Sequence, residues 1–146
     1  MQIPDYVTVE EVQRVCRELG LSDWTALTAP KVDHEEAVIV YHELLGTGSD
    51  IPLEDFHQGL EVELEHGRHF ADVNVTNNHP LLTGKIVLAH FKESGDYYRL
   101  LDVAEAQGDL HKAVLAGNAD KVRQYSRKLL TAEKTLHEAE LARLGA

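Results

Sequence analysis

The stretch from Pro80 to about Lys92 or Glu93, Pro-Leu-Leu-Thr-Gly-Lys-Ile-Val-Leu-Ala-His-Phe-Lys-Glu, places the strongest constraint on the fold. With helical residues about 100° apart, Lys85 and Lys92 share one narrow side, and almost every other position is apolar. A helix that is hydrophobic nearly all round is a central one, so other elements must cover it. His90 lies roughly opposite the lysines, in the widest apolar arc, where a leucine is expected. Glu93 follows at i, i+3, within reach of the ring. A buried imidazole needs partners for both nitrogens, and a buried carboxylate must be paired or protonated. Polar groups at such a place imply a network.

The rest of the chain supplies helices to pack around this one. A first helix is predicted from Thr8 to about Leu19, with Thr8 and Glu11 as a capping box and Gly20 as its stop. Val12, Val15, Cys16 and Leu19 share its inner face. Asp33 caps a second helix through about Leu45, and Gly46-Thr47-Gly48-Ser49 is a turn by composition. A third begins near Pro52, with Asp50 as its cap, and ends at Gly67; its apolar stripe is Leu53, Phe56, Leu60 and Leu64. Between Arg68 and His79 the pattern breaks, because Asp72, Asn74, Thr76, Asn77 and Asn78 favour local side-chain hydrogen bonds over helix. The alternation of Val73 and Val75 with polar residues allows one short extended piece. Pro80 then opens the fourth helix at its first position, and Gly95 closes it.

Asp96 is expected to cap a fifth helix to about Gln107, and Asp109 a short sixth that stops at Gly117-Asn118. The last helix, 119–144, would be about 39 Å long at 1.5 Å per residue. Its apolar residues Val122, Tyr125, Leu129, Ala132, Leu136 and Ala139 alternate steps of three and four, a heptad seam. That seam either packs back on its own domain or joins two copies as a homodimer. The expected architecture is all-α: one compact domain spanning 1–146, of about seven helices, with a long C-terminal helix.

Composition limits the partners. With 14 Lys and Arg against 25 Asp and Glu, the formal net charge is −11. Such a field repels nucleic acid and anionic membrane surfaces, so neither is an expected partner. The single cysteine, Cys16, excludes an internal disulfide and multi-cysteine zinc motifs, and its setting is that of a small buried hydrophobe. No run approaches the roughly 20 apolar residues that span a bilayer. The N-terminal residues lack a basic region followed by an apolar stretch, so a cytoplasmic location is expected.

Two Glu-x-x-His pairs lie on the third helix. Glu63 and His66 project to one side at i, i+3, and with His90 and Glu93 they form a set of two imidazoles and two carboxylates. Such a set suits iron, manganese or zinc. Glu54 and His57 have the same spacing and define a competing register, and helix geometry alone does not choose between them. A metal-free polar network, a divalent-metal site and a small-molecule pocket all remain open for these residues. His69 and His79 flank the irregular loop, while His34, His42, His111 and His137 sit among charged neighbours, as on a solvated surface. Neither a nucleophile elbow nor a phosphate-binding loop occurs, and Cys16 has no activating context.

One ordered string carries a resemblance: Gly-Leu-Glu-Val-Glu-Leu-Glu-His-Gly over 59–67, Asn-Val-Thr-Asn over 74–77, Thr-Gly-Lys-Ile over 83–86, then Ala89-His90, Glu93 and Asp96-Tyr97-Tyr98. Over about residues 53–101 the chain resembles a family of small bacterial helical proteins that is itself a domain of unknown function. The resemblance implies a shared cluster of Glu63, His66, Asn74, Thr76, His90, Tyr97 and Tyr98, and favours His66 over His57. It implies no activity. The favoured functional reading is a non-catalytic helical binding or interaction protein with a His/Glu polar network. The alternative is a metal-binding protein or metalloenzyme, and neither reading assigns a reaction.

Overall fold

The structure, a computed structural model, describes residues 6–145. Among these residues the chain forms helices α1 (Val9–Leu19), α2 (His34–Leu45), α3 (Leu53–His69), α4 (Pro80–Glu93), α5 (Tyr97–Leu115) and α6 (Ala119–Leu144). Two 3-10 turns, Trp24–Ala26 and Ala71–Val73, complete the regular structure, and no strand is present among the described residues. The fold is all-α. Its helices group into two compact units, one ending at Glu93 and one beginning at Ser94.

In the first unit α4 touches α1, α2 and α3. The face it buries is narrower than its apolar composition suggests: Pro80, Thr83, Gly84 and Val87 are the covered positions. Gly84 is the point of closest approach. A Cβ there would lie 2.5 Å from Leu44 Cδ1 and 3.2 Å from both Phe56 Cζ and Val40 Cγ1. The missing side chain thus lets α4 sit against α2 and α3 together. Phe56, Leu60 and Leu64 of α3, Val40 of α2 and Val12 of α1 fill the surrounding core, each with at most 1% of its surface exposed. Full burial of side chains of this size contributes about 1.5–3 kcal/mol each.

The ends of α1 and the start of α2 follow ordinary capping chemistry, whereas α3 starts at Pro52 with no side-chain cap, from Asp50 or otherwise. Thr8 accepts from the Glu11 amide at 3.2 Å, and Asp33 accepts from the Glu35 amide at 2.8 Å. Gly20 closes α1 with a positive φ of 73°. The link between α1 and α2 is pinned by Trp24, which is fully buried and donates its indole N–H to Glu36 Oε2 at 2.9 Å. Cys16 is buried, which pushes its thiol pKa up.

Three local expectations are corrected. α3 continues through Gly67 to His69, because Gly67 keeps a helical backbone and serves a packing role described below. The expected fifth and sixth helices are one, α5: Gly108 lies within it, and Asp109 pairs with Lys112 at 3.3 Å instead of starting a new helix. Around Val73 the chain makes a 3-10 turn rather than an extended piece.

The second unit is a hairpin of α5 and α6. Gly117, at φ 62°, makes its turn, and Asn118 caps α6 by accepting from the Lys121 amide at 3.0 Å. The heptad seam lies on the covered side: Leu136 is buried and the other five seam residues are half-buried, while Tyr98, Ala106 and Ala113 are the buried positions of α5. Asp96 occupies the position before α5, yet its carboxylate does not cap the helix. It is buried and ion-paired with Arg99 and with Arg143 from the far end of α6.

Two glycines separate packing from propensity. Glycine to alanine ordinarily stabilises a helix interior by about 0.5–1 kcal/mol. Gly108→Ala should show that gain, since a Cβ there meets nothing within 4 Å. Gly84→Ala should lose about 1–2 kcal/mol, because overpacking outweighs propensity. Urea denaturation of both variants checks the opposite signs.

Candidate functional site

Glu63 and His90 meet where α3 packs on α4. His90 follows Val87 by three residues, so it continues the covered stripe of α4 one turn beyond its last fully buried position. Glu63 Oε1 lies 3.4 Å from His90 Nε2, with 14% of the Glu63 side chain and 25% of the His90 side chain exposed. On the other edge of the ring, Nδ1 is 4.0 Å from Oε2 of the exposed Glu93. One imidazole thus stands between two carboxylates, on a half-open rather than a sealed face. His90 is half-buried, not at the centre of the core as its apolar arc suggests.

His66 does not join this pair. Residues three apart on a helix differ in direction by about 60°. With Glu63 turned toward α4, His66 is exposed. Among the described residues no three His, Cys, Asp or Glu side chains are placed to hold a single metal ion. The set Glu63, His66, His90 and Glu93 is therefore not assembled as a four-ligand site.

The competing register has a different role. His57 Nε2 donates to the carbonyl of Val32 at 2.8 Å, while Glu61 Oε1 accepts from the Val32 amide at 3.2 Å. One turn of α3 thus clamps both polar groups of a single residue in the α1–α2 link. Lys31 adds an ion pair to Glu61 at 2.5 Å, and the His34 ring lies 5.8 Å from that of His57. Glu54 is exposed. Pattern reading missed Glu61, because its partner is a backbone group 29 residues away.

Asn74 and Thr76 belong to a separate polar knot. Asn74 donates through Nδ2 to Gly67 O at 3.0 Å and to Asn78 Oδ1 at 2.9 Å, and its own Oδ1 accepts from the Thr76 hydroxyl at 3.2 Å. A Cβ on Gly67 would come within 2.7 Å of Asn78 Oδ1 and 2.9 Å of Asn74 Nδ2. That is the packing role of the mid-helix glycine. Asn77 and Asn78 adopt left-handed backbone, at φ 47° and 62°, which asparagine tolerates better than most residues. Asn77 donates to Val7 O at 2.6 Å, and Asn78 donates to Trp24 O at 3.4 Å. The knot ties the α3–α4 loop to the start of the chain and to the Trp24 turn.

Tyr97 and Tyr98 belong to the second unit. Their rings pack edge-to-face with centroids 5.3 Å apart, and Tyr98 is buried. His34, His42, His111 and His137 are exposed, as expected. His79 departs from that pattern: it is buried beside the loop, and its ring Nδ1 accepts from the amides of Leu81 and Leu82.

The model of a protein family described as "Protein of unknown function (DUF5661)" matches residues 12–107, well over half of the chain. The chain belongs to that family. The match is wider than the 53–101 resemblance: it takes in most of α1, all of α2, α3 and α4, and the first half of α5. The Glu63–His90 pair, the His57–Glu61 clamp and the asparagine knot all fall inside it, and α6 falls outside. No curated protein and no solved structure matches the chain.

If Glu63 and His90 act on each other as their geometry indicates, their removal is not additive. A double-mutant cycle with Glu63→Gln and His90→Gln, read by urea denaturation, should give a coupling of about 1 kcal/mol. Additivity within about 0.3 kcal/mol would make them independent neighbours.

Proposed function

We propose that the protein is a non-catalytic helical binding module, and that the face carrying Glu63, His90 and Glu93 meets its ligand. The observation that carries this reading is the half-open imidazole between two carboxylates. A partly buried polar pair is a poor device for stability, since desolvation offsets much of the attraction and an apolar pair of similar volume often serves as well. Partial exposure, by contrast, leaves carboxylate acceptors, those of the exposed Glu93 above all, within reach of a ligand. A net charge of −11 disfavours anions. The ligand class that fits is a small uncharged or cationic molecule bearing hydroxyl, amide or amine groups.

The second reading is a divalent metal, for which Glu63, His90 and Glu93 supply suitable ligand types but would have to close up around the ion. NMR distinguishes the two. A screen of neutral polyols, amides and amines against labelled protein should shift the His90 ring and the amides of Leu64 and Val87, and Glu63→Gln should abolish the shifts. Saturable shifts produced by Zn2+ or Mn2+ alone would favour the metal reading. A face silent to both would make the pair purely structural.

Self-association through α6 is the other part of the proposal. It would use Leu130, Leu141 and Leu144, which are 65%, 51% and 81% exposed, since the seam is occupied within the hairpin. Leu130 and Leu141 are three turns apart and share a face. Light scattering should give a dimer mass for the full chain and a monomer mass for the Leu130→Lys/Leu141→Lys variant; a monomeric parent protein overturns the idea.

A further inference from the structure

The N-terminus of α4 carries an unusual cap. An α-helix begins with backbone N–H groups that its own turns leave without acceptors. Here the first helical residue is Pro80, which has no N–H. The next two amides, of Leu81 and Leu82, donate to His79 Nδ1 at 3.2 and 3.4 Å, and the amide of Thr83 donates to His79 O at 2.9 Å. A single residue therefore satisfies the whole first turn. Asn, Asp, Ser and Thr ordinarily fill this position, and none of them changes its cap near neutral pH.

The acceptor in this cap is a nitrogen lone pair, so the ring must be neutral with its proton on Nε2. A proton on Nδ1 removes the acceptor for both amides at once. It also places positive charge at the positive end of the helix dipole, inside a buried site. The charged groups that act on the ring are Glu11 and Arg14 of α1 and Lys85 of α4 itself. Burial is the largest influence and holds the His79 pKa below the usual histidine value; Glu11 and a hydrogen bond to the residue's own backbone oppose it, and the two cations reinforce it.

His79 is also the last residue of the asparagine knot. Its own amide donates to Thr76 O at 2.9 Å, and it directly follows the two left-handed residues Asn77 and Asn78. Those asparagines, with Asn74, Gly67, Thr25 and Leu27, line a cleft of about 220 Å³. We propose that His79 is an acid-sensitive latch: protonation of its Nδ1 uncaps α4 and frees the 74–78 loop that walls this cleft. The latch is independent of any role for Glu63 and His90.

The sign follows from linkage. Above the ordinary histidine pKa, about 6.5, the ring is neutral whether the cap is closed or open, and the cap is at full strength. As pH falls below that value the open form takes up a proton that the closed form resists, so the cap weakens until the lower pKa of the closed form is passed.

Amide hydrogen exchange on the full chain, corrected for the intrinsic pH dependence of exchange, tests this residue by residue. Loss of a helix cap predicts that protection of Leu81 and Leu82 falls about fivefold between about pH 7.5 and about pH 5. His79→Asn retains an oxygen acceptor without a titrating group, and its protection should stay flat. Unchanged protection in the parent protein, or the same fall in the asparagine variant, overturns the latch. Should that variant fail to fold, the 15N shift of His79 Nδ1 in the parent protein decides. It must report a bare acceptor nitrogen at neutral pH and a protonated one over the window in which protection is lost. A ring that stays neutral through that window, or one already protonated at neutral pH, overturns the proposal.

Discussion

The close approach of α4 at Gly84 is the constraint on which the first unit depends. Helix axes come together only as far as the side chains between them allow. At Gly84 that spacer is absent, so Leu44 and Val40 of α2 and Phe56 of α3 reach the α4 backbone directly. Once α4 is seated there, the direction of its other residues is fixed. Val87, one turn on, enters the core, and His90 after it meets Glu63 of α3 at the edge of the packed region. The pair is thus a consequence of helix seating, with its degree of exposure set by how far it stands from the glycine contact.

A second constraint holds the other end of α3 and the beginning of α4. Gly67 provides room for Asn74 and Asn78 to lie on α3, and those amides satisfy one another and the helix carbonyl. Buried polar groups without partners are costly. An irregular loop close to the core is tolerable because its side chains perform the bonding that a helix would otherwise provide. The loop ends at His79, whose ring passes the same service to the first turn of α4. From Gly67 to Thr83 the chain changes direction through one connected set of hydrogen bonds.

Much of this fold is legible in sequence, and the illegible parts share a physical character. Local signals were sufficient for Thr8, Gly20 and Asp33, because a cap acts within three or four residues of itself. The central position of α4 followed from its composition. The heptad seam was legible as a seam, but its partner was not: one apolar stripe serves an intramolecular hairpin or a dimer equally well. Gly108 and Gly67 misled because glycine both ends helices and permits close approach, and only the third dimension tells which applies. The Glu63–His90 pairing was one of two registers with identical spacing, and the long loop between α3 and α4 left the choice to packing. The clamp of His57 and Glu61 on Val32 gave no sequence signal, since backbone partners carry no residue code. His79 did have one: a residue placed just before a helix-opening proline is by construction the cap, whatever its type.

His79, just before α4, and His90, in its last turn, illustrate how the two ends of one helix give the same side chain opposite settings. At its start the backbone presents N–H groups, so a ring is useful there only as an acceptor, and burial beside Lys85 and Arg14 reinforces the neutral form. In its last turn the backbone presents carbonyls, and Glu63 and Glu93 stand on either side of the ring. That end is a place for positive charge or for a hydrogen-bond donor, whether it comes from the protein or from a ligand. A leucine at position 90 would have filled the same volume without this character. It would have contributed at least as much to packing, since burying an apolar side chain carries no desolvation penalty for charge. The polar choice at His90, paired with a carboxylate that is mostly covered, is therefore not accounted for by the stability of the helix pair alone.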